Sequence, residues 1–78
     1  MLKKKQGYTV AILGATGAVG QETLEILEER QFPLASLRLF ASKRSVGEIM
    51  ACQGKEWTVE ELTESSSFDG VDLAFISA

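Results

Sequence analysis

The stretch Tyr8-Thr9-Val10-Ala11-Ile12-Leu13-Gly14-Ala15-Thr16-Gly17-Ala18-Val19-Gly20 decides the fold. Its first half is β-rich and almost wholly apolar, with no alternation. Such a run predicts a strand buried on both faces, as in a parallel sheet. Its second half is a glycine turn that opens a helix. Gly14 lets the chain leave the strand sharply. Gly17 has no Cβ, so the backbone can approach a phosphate. Gly20 lets the helix lie close to the strand. Unpaired N–H groups and the helix dipole then favour an anion, which is how a dinucleotide pyrophosphate is held. The spacing is G-x-x-G-x-x-G, not the commoner G-x-G-x-x-G. A tight turn without a ligand is the alternative, and the strand before and helix after it favour binding.

Working outward, a helix is expected over residues 18–30. Val19, Thr23, Ile26 and Leu27 fall on one face at helical spacing, and Glu22, Glu25, Glu28 and Glu29 populate the rest. Pro33 prevents continuation. A second strand over 36–41 completes a βαβ unit. Residues 42–47 read as a polar loop. Residues 48–52 and 56–59 suggest a short hairpin about Gln53-Gly54-Lys55. Residues 63–68 are a short helix or a loop, and Asp69-Gly70 signals a turn. A last, buried strand is expected over 71–77. The fold class is therefore α/β, a Rossmann-like parallel sheet forming the N-terminal portion of a dinucleotide-binding domain. A parallel strand needs neighbours on both sides, so residues 1–78 read as part of a longer protein.

The end of the second strand decides which dinucleotide fits. Binders of NAD place an acidic residue there, ~20 residues beyond the glycines, to hold the ribose 2′-hydroxyl. Here the stretch is Phe40-Ala41-Ser42-Lys43-Arg44-Ser45, with no carboxylate between Arg30 and Glu48. A carboxylate would repel a 2′-phosphate, whereas the Arg44 guanidinium can take two of its oxygens at once. Ser42 and Ser45 can donate hydroxyl hydrogen bonds. A hydrogen bond to a charged group contributes ~1.5–3 kcal/mol, roughly a ten- to hundredfold preference for NADP. The alternative is an exposed loop with a solvated Lys-Arg pair. Ser77 and Ala78 end the last strand, where open α/β sheets bind ligands, and are further candidates.

Composition narrows the remaining classes. The 78 residues are 45% hydrophobic and 24% charged, with a net charge of −3. That balance argues against nucleic acid as the main partner. A single cysteine forms no internal disulfide and fits a reducing compartment. There is no histidine, and no apolar run approaches the ~20 residues of a membrane span. Met1-Leu2-Lys3-Lys4-Lys5 is basic without the apolar stretch of a signal peptide. Cys52 has no histidine to activate it and reads as an apolar filler. Trp57 is expected to be packed or half exposed. Glu56, Glu60, Glu61 and Glu64 read as a solvated face.

Three segments together resemble the start of bacterial aspartate-semialdehyde dehydrogenases. They are the first strand with Gly14 to Gln21, the run Phe40-Ala41-Ser42-Lys43-Arg44-Ser45-Val46-Gly47, and residues 68–78. Val46 departs from the pattern, where alanine is more usual. The resemblance implies an NADPH-dependent reductase that interconverts aspartyl phosphate and aspartate semialdehyde, releasing or taking up phosphate. It implies a cytoplasmic homo-oligomer in lysine, methionine and threonine biosynthesis. It implies a cysteine thiolate that forms an acyl-enzyme, a histidine acid/base and substrate-binding arginines. None of these matches a position here, so the catalytic and dimerisation domain is expected outside this chain. Carried over by position, Thr16, Gly17, Ala18 and Val19 would embrace the pyrophosphate. Ser42, Arg44 and Ser45 would hold the 2′-phosphate, and Ser77 and Ala78 would pass near the nicotinamide. A related N-acetyl-glutamyl-phosphate reductase, a short-chain or epimerase-type Rossmann enzyme and a stand-alone NADP-binding module are the competing readings.

Overall fold

The computed structural model describes residues 7–76. Strand β1 (Tyr8–Leu13) leads through the glycine turn into helix α1 (Ala18–Glu29), and β2 (Leu34–Ala41) follows. A 3₁₀ turn (Lys43–Ser45) then precedes β3 (Ile49–Cys52), β4 (Lys55–Glu61) and β5 (Leu73–Ile76). The sheet order is β3-β4-β2-β1-β5. Strands β4, β2, β1 and β5 run parallel to their neighbours, and β3 alone is antiparallel, paired to β4. The expected βαβ unit and hairpin are both present. Residues 62–72 contain turns rather than a helix.

β1 lies inside the sheet, flanked by a strand on each side, because its side chains suit burial. Val10, Ala11 and Ile12 are fully buried, between β2 on one side and β5 on the other. Tyr8, Val10 and Ile12 join Leu37, Leu39 and Ala41 of β2, Val59 of β4, and Leu24 and Leu27 of α1 in one core. Fully burying each large aliphatic group contributes roughly 1.5–3 kcal/mol. Phe40 is buried on the opposite side of β2. Its ring packs on Phe68 with centroids 5.1 Å apart, beneath the Arg38 guanidinium at 4.9 Å.

The helix turns a different stripe inward from the one its spacing suggests. Gly20, Leu24 and Leu27 are the buried residues of α1. Val19 is 56% exposed and Ile26 51% exposed. The steric reason is local. A Cβ on Gly20 would lie 2.3 Å from the Gly14 carbonyl oxygen and 2.7 Å from the Ala15 Cα. The position with no side chain therefore takes the closest approach to the turn, and the helix rotates Leu24 and Leu27 beneath it. The strand expected over 71–77 is shorter in the described residues, and Phe75 and Ile76 are exposed rather than buried. Among the described residues β5 is an edge strand, so only β1 covers its flank.

Cys52 is buried, as an apolar filler would be, with its thiol 3.7 Å from the Leu24 carbonyl oxygen. Burial pushes its pKa up, and Glu28 adds to the rise. Next to it, Gln53 reaches α1. Its Nε2 donates to the carbonyls of Leu27 (3.1 Å) and Phe32 (2.7 Å), and its backbone N–H donates to Glu28 Oε1 (3.0 Å). The hairpin tip thus adds a second donor to the Leu27 carbonyl, which also accepts the Phe32 N–H at 3.0 Å, and ties the segment after the helix to β3 and β4.

Candidate cofactor site

Two turns meet at the carboxyl ends of β1 and β2. The first spans residues 14–17. Gly14 sits at φ +84°, a left-handed conformation that costs other residues strain. Its N–H and that of Ala15 both donate to the Phe40 carbonyl, at 2.8 and 3.1 Å. These bonds tie the turn to the end of β2. Gln21 Nε2 donates to the Thr16 carbonyl at 2.8 Å and holds the crest of the turn from the helix side.

Gly17 is the N-cap residue of α1, with no side-chain cap and no acidic residue in the first helical turn. The first N–H groups of the helix, those of Ala18 and Val19, have no helical carbonyl to bond. Both residues are exposed, so these donors face solvent with the positive end of the dipole behind them. The local chemistry fits an anion such as a pyrophosphate. Gly20 contributes by close packing: it is buried and touches the turn.

The second turn follows β2. Ser45 N–H donates to the Ser42 carbonyl at 2.9 Å, which closes the 3₁₀ turn. Ser42, Lys43 and Arg44 are exposed and Ser45 is half-buried. Among the described residues, no carboxylate pairs with Arg44. The two turns touch through side chains: Thr16 Oγ1 lies 3.2 Å from Ser45 Oγ. The turn that carries Ser42, Arg44 and Ser45, far in sequence from Thr16, thus lies beside it near the helix N-terminus. Ser77 and Ala78 lie outside the described residues.

Sequence reasoning missed two features of this rim. The first is the Thr16–Ser45 contact, which no spacing rule announces. The second is a pair of carboxylates on the adjacent strand. The absence of acids between Arg30 and Glu48 holds along the chain, but β4 sets Glu60 beside Phe40 and Glu61 beside Ala41. Glu60 is not simply a solvated acid. It forms a bidentate pair with Arg38, at 3.2 Å to Nε and 3.0 Å to NH2. Arg38 NH1 also donates to the Ser67 carbonyl at 2.6 Å. The hydrogen bonds to Glu60 raise the Arg38 pKa further, so the guanidinium stays charged. Glu61 remains exposed next to the second turn.

Among the described residues, no helix is long and apolar enough to cross a membrane, and no cluster of three or more metal-binding side chains is present. Comparison with known proteins agrees with the geometry. Residues 9–78 match the family described as semialdehyde dehydrogenase, NAD binding domain. The chain is 53% identical over 72 residues to an aspartate-semialdehyde dehydrogenase of Aquifex aeolicus, covering 92% of this chain and 21% of that protein. It is 48% identical over 73 residues to that of Bacillus subtilis, covering 94% of this chain and 21% of the relative. A crystal structure of aspartate semialdehyde dehydrogenase II from Vibrio cholerae, complexed with ASA, superposes with a TM-score of 0.87 at 45% identity. That match covers 94% of this chain and 24% of the other. The chain therefore spans about a fifth of the length of the curated relatives it matches. A strand, a glycine turn and a helix that fit a pyrophosphate, in a chain this similar along almost its whole length, place it in the semialdehyde dehydrogenase family, as a nicotinamide-dinucleotide-binding domain of that family.

Proposed function

We propose that residues 1–78 supply the cofactor-binding part of an NADPH-dependent aspartate-semialdehyde dehydrogenase. The reaction is aspartyl phosphate, NADPH and a proton giving aspartate semialdehyde, NADP⁺ and phosphate. The observation that carries the choice of NADPH is the rim itself. The helix N-terminus and the Arg44-bearing turn lie side by side, joined at 3.2 Å through Thr16 and Ser45. The first suits a pyrophosphate and the second a 2′-phosphate. When bound, the dinucleotide supplies the hydride. This chain's residues bind and orient it: Gly14, Gly17 and Gly20 shape the turn, the backbone of Thr16, Ala18 and Val19 faces the pyrophosphate, and Ser42, Arg44 and Ser45 face the 2′-phosphate. Ser77 and Ala78 would continue toward the nicotinamide. The thiol, the acid/base and the substrate arginines belong to the remainder of the enzyme, as does the interface of a homo-oligomer. A cytoplasmic place in lysine, methionine and threonine biosynthesis follows from this activity.

The test is an assay of the full-length protein in the reverse direction, with aspartate semialdehyde, phosphate and NADP⁺, followed by NADPH absorbance. Phosphate-dependent NADPH formation is expected, with NAD⁺ much poorer. Activity only with N-acetyl-glutamate semialdehyde would reassign the substrate. Binding of NADPH with no turnover on either aldehyde would leave a binding module.

A further inference from the structure

The geometry points to Thr16 as a cofactor-specificity residue that acts through Ser45 on the 2′-phosphate, rather than as a pyrophosphate contact. This rests on the reading of the second turn as the 2′-phosphate site. Thr16 lies in the turn common to NAD and NADP binders, so its side chain would ordinarily be assigned to the shared pyrophosphate. The contact between Thr16 Oγ1 and Ser45 Oγ at 3.2 Å changes that assignment.

Each hydroxyl donates one hydrogen and accepts up to two. The mutual bond uses one of the two hydrogens and leaves the other for a third group. An anion at the second turn takes the Ser45 hydrogen, and Thr16 then donates to Ser45 Oγ. The order is Thr16 O–H to Ser45 O–H to phosphate oxygen. A donor chain ending on an anion is strengthened at each link by polarisation. Both ends of the chain are held in place. Gln21 pins the Thr16 carbonyl at 2.8 Å, and the Ser42 carbonyl accepts the Ser45 N–H at 2.9 Å. The pyrophosphate retains the backbone donors of the helix start, which a change of side chain at position 16 does not remove.

The two roles separate in one experiment on the full-length protein. NADPH and NADH affinities are measured by fluorescence titration for the parent, Thr16→Val, Thr16→Ser, Ser45→Ala and the Thr16→Val/Ser45→Ala double variant. Thr16→Val should weaken NADPH about three- to tenfold, the range of one neutral hydrogen bond, and change NADH by less than about twofold. Thr16→Ser should keep the parent preference. In the Ser45→Ala background, Thr16→Val should cost NADPH nothing further. Thermal midpoints of the variants check that each remains folded. Equal weakening of both cofactors, or additive losses in the double variant, would overturn the relay. Arg44→Ala in the same assay reports on the underlying site. If it leaves the NADPH preference intact, the 2′-phosphate reading fails and the relay with it. If it is selective while Thr16→Val is not, the relay alone fails.

Discussion

The turn over 14–17 and the turn over 42–47 sit side by side, yet they are built from different material. The first is made of backbone. Its donors are peptide N–H groups, its shape depends on Gly14 at φ +84°, and its closeness to α1 depends on Gly20 lacking a Cβ. The second is made of side chains, with Ser42, Lys43 and Arg44 exposed around a single 3₁₀ turn. A backbone site recognises what every dinucleotide shares and tolerates no added atom. On the function proposed above, the side-chain turn recognises what distinguishes one dinucleotide from another, and each residue tunes it separately. Damage to the first should therefore be large and indifferent to cofactor; damage to the second should be smaller and selective.

The largest effect is expected from Gly20→Ala. The new Cβ would meet backbone atoms of Gly14 and Ala15 at 2.3 to 2.8 Å, so the helix or the turn must move. Overpacking of this kind costs roughly 1–3 kcal/mol or more. The full-length variant should melt several degrees lower and bind NADPH and NADH equally poorly. A selective loss of NADPH alone would break the division between the two turns. Arg44→Ala comes next. It should weaken NADPH about ten- to hundredfold, one charged hydrogen-bonding contact, and NADH by no more than about twofold. The NADPH loss should shrink at high salt, because the site is exposed.

A smaller effect of opposite sign should follow Glu61→Gln. The carboxylate stands beside Ala41, next to the second turn, and is exposed. Removing it should tighten NADPH about twofold at low salt and leave NADH unchanged. No change at low salt would mean that Glu61 does not sense the 2′-phosphate. The smallest effect lies away from both turns. The Cys52 thiol has its pKa raised by burial, and an unfolded thiol ionises near its ordinary value of 9.0. The folded pKa lies above the unfolded one, so this contribution is complete below the unfolded pKa and is lost as pH rises through the folded value. The parent should lose stability above about pH 9 more steeply than Cys52→Ala. Parallel pH profiles from chemical denaturation would contradict this.

Much of the rim was readable along the chain. Residues 8–20 state strand, turn and helix through an unbroken apolar run followed by spaced glycines. Ser42, Arg44 and Ser45 were readable as a polar turn after the second strand, and the structure sets that turn beside the glycine turn. Spacing failed where the third dimension intervened. Val19 and Ile26 fit an inward stripe on paper. The contact at Gly20 rotates the helix so that Leu24 and Leu27 go inside. Glu60 read as one acid in a solvated group, until β4 paired with β2 and put it within 3.2 Å of Arg38.

Residue order alone settled what each turn is made of: glycines where the backbone must be bare, and hydroxyls with a cation in the turn proposed to meet the 2′-phosphate. These are properties of residue type and short spacing, which local chain geometry preserves. Which distant residues share a rim depends on how the strands pair. Thr16 meets Ser45, and Glu61 stands beside Ala41, because parallel pairing brings the carboxyl ends of β1, β2 and β4 together. Strand order is set by burial of the whole sheet, a non-local quantity that no short window of sequence contains.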